Sequence, residues 1–68
     1  MLYELVVRQD GEIISRGGIK ATLKTVKKWI AQNQESCPPV DGQEYGFDEA
    51  NEDAITWREY LSLPWWDR

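Results

Sequence analysis

Leu2-Tyr3-Glu4-Leu5-Val6-Val7-Arg8-Gln9-Asp10-Gly11-Glu12-Ile13-Ile14-Ser15-Arg16 decides the fold. Two runs rich in β-forming residues flank Asp10-Gly11, and an Asp-Gly pair so placed is a strong hairpin signal because both turn residues need positive φ. A two-residue loop fixes the register, so Gln9 faces Glu12, Val7 faces Ile14 and Leu5 faces Arg16. Tyr3, Leu5, Val7 and Ile14 then share one face, and Glu4, Val6, Arg8, Ile13 and Ser15 share the other. A lone hairpin, here over residues 2–16, is barely stable in water and needs a cover.

That cover comes next in the chain. Gly17-Gly18 ends the second strand, and Thr22 is placed to cap a helix over residues 22–34. Leu23, Val26 and Ile30 recur at helical spacing with Trp29 beside them, while Lys24, Thr25, Lys28 and Gln32 take the opposite side. The apolar stripe is expected to lie on the hairpin. Residues 35–48 contain Pro38-Pro39, Asp41-Gly42 and Gly46 without a sustained period and read as a long loop. Residues 48–55 are acidic, and their like charges oppose a helix there.

Residues 56–63 admit two readings. Thr56 with Glu59 matches a capping box and Ile55 with Tyr60 a hydrophobic staple, which predicts a short helix. Alternation of Ile55, Trp57, Leu61 and Leu63 with polar neighbours, broken at Glu59, supports a third strand instead. Pro64 stops either element. The fold class is therefore α+β, with residues 1–68 forming one small domain: a hairpin, one amphipathic helix, a long loop and a short C-terminal helix or strand.

With 68 residues the chain is near the lower limit for a single core. Its 41% hydrophobic and 12% aromatic content still marks a folded protein. There is no His, which removes the usual general base and the commonest zinc ligand, and Cys37 is the sole cysteine. Without a His neighbour the thiol has little to activate it. Counting from Asp41 places Gly46 and Glu52 at the glycine and glutamate positions of a calcium loop, yet Gln43 and Tyr45 stand where further oxygen ligands belong. No metal or cofactor is expected. Paired carboxylates of a glycosidase would need a cleft that so short a chain does not evidently supply. The first residues do not resemble a signal peptide, and no run reaches 18 apolar residues. A reducing, cytoplasmic setting is expected.

Charge is divided along the chain. Residues 1–34 carry six cations and three anions, whereas residues 35–68 carry two cations and nine anions. Such asymmetry bears on association, although mutual solvation of two surfaces also accounts for it. The acidic set Glu44, Asp48, Glu49, Glu52, Asp53 and Glu59 is a candidate contact surface, with Trp57, Trp65 or Trp66 as its apolar anchor. Trp65 and Trp66 serve equally well as caps on the small core. The competing site is the lysine cluster Lys20, Lys24, Lys27 and Lys28, suited to nucleic-acid phosphates.

In general pattern the chain is similar to the small proteins that phages and other mobile elements encode to block host machinery, anti-CRISPR proteins among them. The hairpin around Asp10-Gly11, the helix from Leu23 to Ile30 and the acidic set carry that resemblance. It implies a non-enzymatic inhibitor that binds a protein partner with a basic, nucleic-acid-binding surface. The alternatives are a nucleic-acid-binding regulator using the lysines, and an assembly subunit that associates through its helix face or open hairpin edge.

Overall fold

The computed structural model describes residues 1–67. Strands β1 (Tyr3–Gln9) and β2 (Glu12–Arg16) form the N-terminal hairpin. At its turn Asp10 and Gly11 take φ of 52° and 88°, the conformation the Asp-Gly pair predicts. A short strand β3 (Ile19–Lys20) follows, then helix α1 (Leu23–Ser36), strand β4 (Gln43–Glu49), a short strand β5 (Ile55–Thr56) and helix α2 (Trp57–Ser62). Trp65–Asp67 closes with a turn of 3₁₀ helix.

β1 is the central strand of an antiparallel sheet in the order β2-β1-β4. It pairs with β4 over its full length, from Tyr3 opposite Glu49 to Gln9 opposite Gln43. β3 and β5 make a separate parallel pair, Ile19 opposite Ile55 and Lys20 opposite Thr56. Two backbone hydrogen bonds between Tyr3 and Ala21, at 2.8 and 2.9 Å, join the two sheets.

Two sequence expectations need correction here. Residues 35–48 are not a long loop: α1 continues to Ser36, and β4 begins at Gln43. Tyr45 and Phe47 repeat at a spacing of two on β4 and face α1. The Tyr45 hydroxyl donates to the Cys37 carbonyl at 2.6 Å, and the Phe47 ring meets Tyr3 edge to face at 5.8 Å. The hairpin register also differs. Gln9 faces Glu12 as expected, but a bulge at Ile14 places Val7 opposite Ser15 and Val6, not Leu5, opposite Arg16.

That one-residue shift turns Arg16 onto the face of Glu4 and away from the helix. Glu4 is 1% exposed, and its carboxylate accepts from Arg16 Nη1 at 2.7 Å, Gly18 N at 3.0 Å and Asn51 N at 3.2 Å. One side chain thereby ties β1 to the end of β2, to the approach to β3 and to the segment after β4. Burial pushes this carboxyl up, but the hydrogen bonds from Arg16, Asn51 and Gly18 and the Arg16 charge outweigh it and hold it below the ordinary glutamate value.

α1 packs across β1 and β4, and β2 lies outside its footprint. This differs from the expected seat on the hairpin, because β4 occupies the other side of β1 and doubles the apolar platform. Thr22 caps the helix as its sequence position predicts, its Oγ1 accepting from Thr25 N at 3.4 Å. Val26 is fully buried, with Leu23, Trp29 and Ile30 half-buried along the same stripe. Val6, Ala21 and Ala54 complete the buried core. α2 settles the two readings of residues 56–63 as a helix, with Thr56 Oγ1 accepting from Glu59 N at 3.0 Å. Ile55 and Thr56 ahead of it are a two-residue strand.

Candidate functional site

β4 and the turn after it carry most of the acidic residues. Glu44 lies at one end of β4 opposite Arg8, and Asp48 lies about 13 Å further along the strand, opposite Glu4. Glu49 is exposed at the strand's end, and Glu52 and Asp53 are exposed in the turn closed by Ala54 N donating to Asn51 O at 3.1 Å. Glu59 is exposed in the first turn of α2. The fold therefore gathers Asp48, Glu49, Glu52 and Asp53 at one place and leaves Glu44 apart from them.

Asp48 differs from the others because it is already matched within the chain. Its Oδ2 accepts from Arg16 Nη2 at 2.8 Å, while Arg16 Nη1 reaches Glu4. The Arg16 hydrogen bond, opposed by partial desolvation and aided by the Arg16 and Arg8 charges, holds the Asp48 carboxyl below its ordinary value. The same two carboxylates raise the Arg16 pKa. Among the described residues, Glu44, Glu49, Glu52, Asp53 and Glu59 take part in no ion pair.

Of the four lysines, Lys24, Lys27 and Lys28 are exposed on α1, and Lys20 is half-buried on β3. Lys27 Nζ stands 5.9 Å from the Phe47 ring centroid, a cation–π distance, so this part of the basic helix adjoins the acidic end of β4. Glu49, two residues beyond Phe47, shares that strand face. The basic and acidic halves of the sequence meet here instead of occupying opposite sides of the molecule.

The tryptophans divide by environment. Trp29 meets Trp57 edge to face with centroids 4.9 Å apart, and Trp57 stacks on Tyr60 at 5.6 Å with an interplanar angle of 13°. These rings border a cleft of about 340 Å³ between α1, α2, β1 and the turn from β2 into β3, lined also by Leu5, Gly17, Ile19, Gln32 and Asn33. Its volume is at the lower end of the range for small-ligand pockets. Asn33 Nδ2 donates to the Trp29 carbonyl at 2.8 Å, which fixes its amide at the wall.

Trp65 and Trp66 are 79% and 67% exposed and meet each other edge to face at 5.6 Å. They do not cap the core. Of the two roles their sequence position allows, the structure removes the internal one. The cleft itself escaped sequence reasoning, because Trp29 and Trp57 are 28 residues apart and meet only in the fold.

Cys37 is exposed and free at the end of α1. Among the described residues no three carboxylate or thiol groups come together as a metal site, and no helix is long and apolar enough to cross a membrane. The chain matches no protein-family model, no curated protein and no solved structure.

Proposed function

We propose that this protein acts by binding a macromolecule, with the acidic end of β4, its turn and α2 as the contact surface. Glu49, Glu52, Asp53 and Glu59 meet a basic, nucleic-acid-binding surface on a protein partner, and Trp65 and Trp66 supply the apolar anchor. Occupying that surface blocks it, an inhibitory action of the anti-CRISPR type performed without catalysis. The free acids and the two tryptophans left in water support this reading. Asp48 drops out of the contact because Arg16 holds it. The lone thiol, which needs no oxidising compartment, suits a cytoplasmic site of action.

The lysine face is the weaker candidate. Lys27 is engaged over Phe47, and the neighbouring carboxylates repel phosphates approaching that part of the helix.

Affinity capture from the native host's lysate, repeated after nuclease treatment, tests the proposal. A stoichiometric protein should survive nuclease and be lost from a variant combining Glu49→Lys, Glu52→Lys, Asp53→Lys and Glu59→Lys. Undiminished capture by that variant refutes the acidic contact. Recovery of nucleic acid alone, abolished by nuclease, transfers the function to Lys24 and Lys28.

A further inference from the structure

Strands β2 and β4 are the two outer strands of the three-stranded sheet, and they differ as edges. β2 is five residues long and broken by its bulge, which blunts pairing with another chain. β4 runs seven residues in unbroken register with β1, so its outer side is the edge open to strand addition. The hydrogen bonds at its two ends, Asp10 N to Gly42 O at 2.9 Å and Ala50 N to Leu2 O at 3.2 Å, place the ladder with β1 on even-numbered residues. Tyr45, Phe47 and Glu49 therefore turn their backbone N–H and C=O groups outward.

Two arginines reach that edge from the strands behind it. Arg8, on β1, crosses β4 above Gly46, and its Nη2 donates to the Phe47 carbonyl at 3.1 Å. Arg16, on β2, spans the sheet, and its Nη1 donates to the Glu49 carbonyl at 3.3 Å besides meeting Glu4. Of the three outward carbonyls only that of Tyr45 has no partner among the described residues. We propose that Arg8, with Arg16 beside it, guards this edge and so keeps β4 of one copy from pairing with β4 of a second.

Gly46 is what admits the guard. Glycine weakens a strand, and here an added Cβ would collide with Arg8 Nη1, so the missing side chain is the trough through which the guanidinium reaches the edge. An incoming strand needs the Phe47 carbonyl, the middle acceptor of the three. To take it, that strand must displace a charge-assisted hydrogen bond or bury the guanidinium beside itself, and both are costly. Arg8 is available for this task because it takes part in no ion pair among the described residues, although Glu44 lies opposite it. The acids Glu44 and Glu49 also repel their counterparts on a second β4. Salt screens that repulsion, whereas a guanidinium seated on the acceptor stays a local obstacle.

Sedimentation up to about 1 mM protein in about 0.5 M salt, joined to amide hydrogen exchange followed by NMR, tests this. The wild type should stay monomeric, with the Tyr45 and Phe47 amides exchanging freely. Arg8→Met removes the guanidinium, and Gly46→Ala retains it but closes its path. Arg16 is left unchanged, since its loss would also unpair Glu4. Both variants should self-associate at least about tenfold more tightly than the wild type, with protection of the Tyr45 and Phe47 amides that rises with concentration. Circular dichroism checks that each is folded, and if Arg8→Met is not, Gly46→Ala carries the test alone. A folded variant that remains monomeric with those amides unprotected overturns the proposal. So does a wild type that pairs through β4 as tightly as the variants, or association that protects Ile13 instead of Phe47, which assigns the contact to β2.

Discussion

Glu4→Gln removes a single charge from the interior and nearly preserves shape, so its cost can be worked from three hydrogen bonds. Glu4 Oε1 accepts from Arg16 Nη1 and Asn51 N, and Oε2 accepts from Gly18 N. A glutamine has one acceptor oxygen and one NH₂ in place of the two oxygens. With its oxygen at the Oε1 position the NH₂ opposes Gly18 N–H, and in the reverse orientation it opposes both Arg16 and Asn51. At least one donor is therefore left against another donor, which costs about 1–3 kcal/mol, and the bond to Arg16 loses its charge assistance. The sum is about 3 kcal/mol, against a total of about 3–10 kcal/mol expected for a chain of 68 residues. Thermal unfolding followed by circular dichroism should show Tm lowered by roughly 12–24 °C, at about 4–8 °C per kcal/mol. A drop below about 3 °C would refute the reasoning, because it would mean the carboxylate gains nothing from its donors that a neutral amide does not.

Acid should act through the same group. Glu4 and Asp48 both have lowered folded values, so the stability they contribute is full above their ordinary values of 4.5 and 3.8 and is lost as pH falls through the folded values. Tm measured downward from pH 6 should fall below about pH 4.5, and less steeply in Glu4→Gln, whose remaining dependence comes from Asp48 and the other carboxylates. Thr56→Ala should cost about 1 kcal/mol in urea unfolding, and Thr22→Ala less, since their capping bonds measure 3.0 and 3.4 Å. Gly42→Ala should cost about 1–2 kcal/mol by the same assay. Gly42 has φ of +83°, and an added Cβ meets Gln9 Nε2 at 2.6 Å. Gly46→Ala should cost less than Gly42→Ala, because Gly46 has no positive φ and the atom its Cβ meets, the end of the Arg8 side chain, can move away.

The local signals in the sequence were legible where side chains act on their own backbone. Asp10-Gly11, Thr22 and Thr56 each set a turn or a helix start by short-range chemistry, and each does so in the structure. What escaped depended on distant partners. Nothing near Ile14 announces a bulge, since its effect is to carry Arg16 to Glu4 and Asp48, and Asp48 is 32 residues away. β4 was hidden by its composition, because Gly46 and its acidic residues are poor strand formers that central pairing with β1 overrides. The acidic candidates were visible as a charge run, but the separation of Asp48 from its free neighbours follows only from the register. The cleft was illegible because its residues come from four separate parts of the chain.

The central position of β1 governs the order in which the chain can assemble. The strand made first has one edge closed early by β2, but its other edge is closed by β4, whose residues 43–49 follow only after α1. Until β4 docks, a row of backbone donors and acceptors on β1 stands open beside Leu5 and Val7, a template for pairing with any other chain. Closing it requires contacts between residues far apart in sequence, the slow kind. A partly unfolded chain in which β4 has come away from β1 is thus the molecule's most aggregation-prone form.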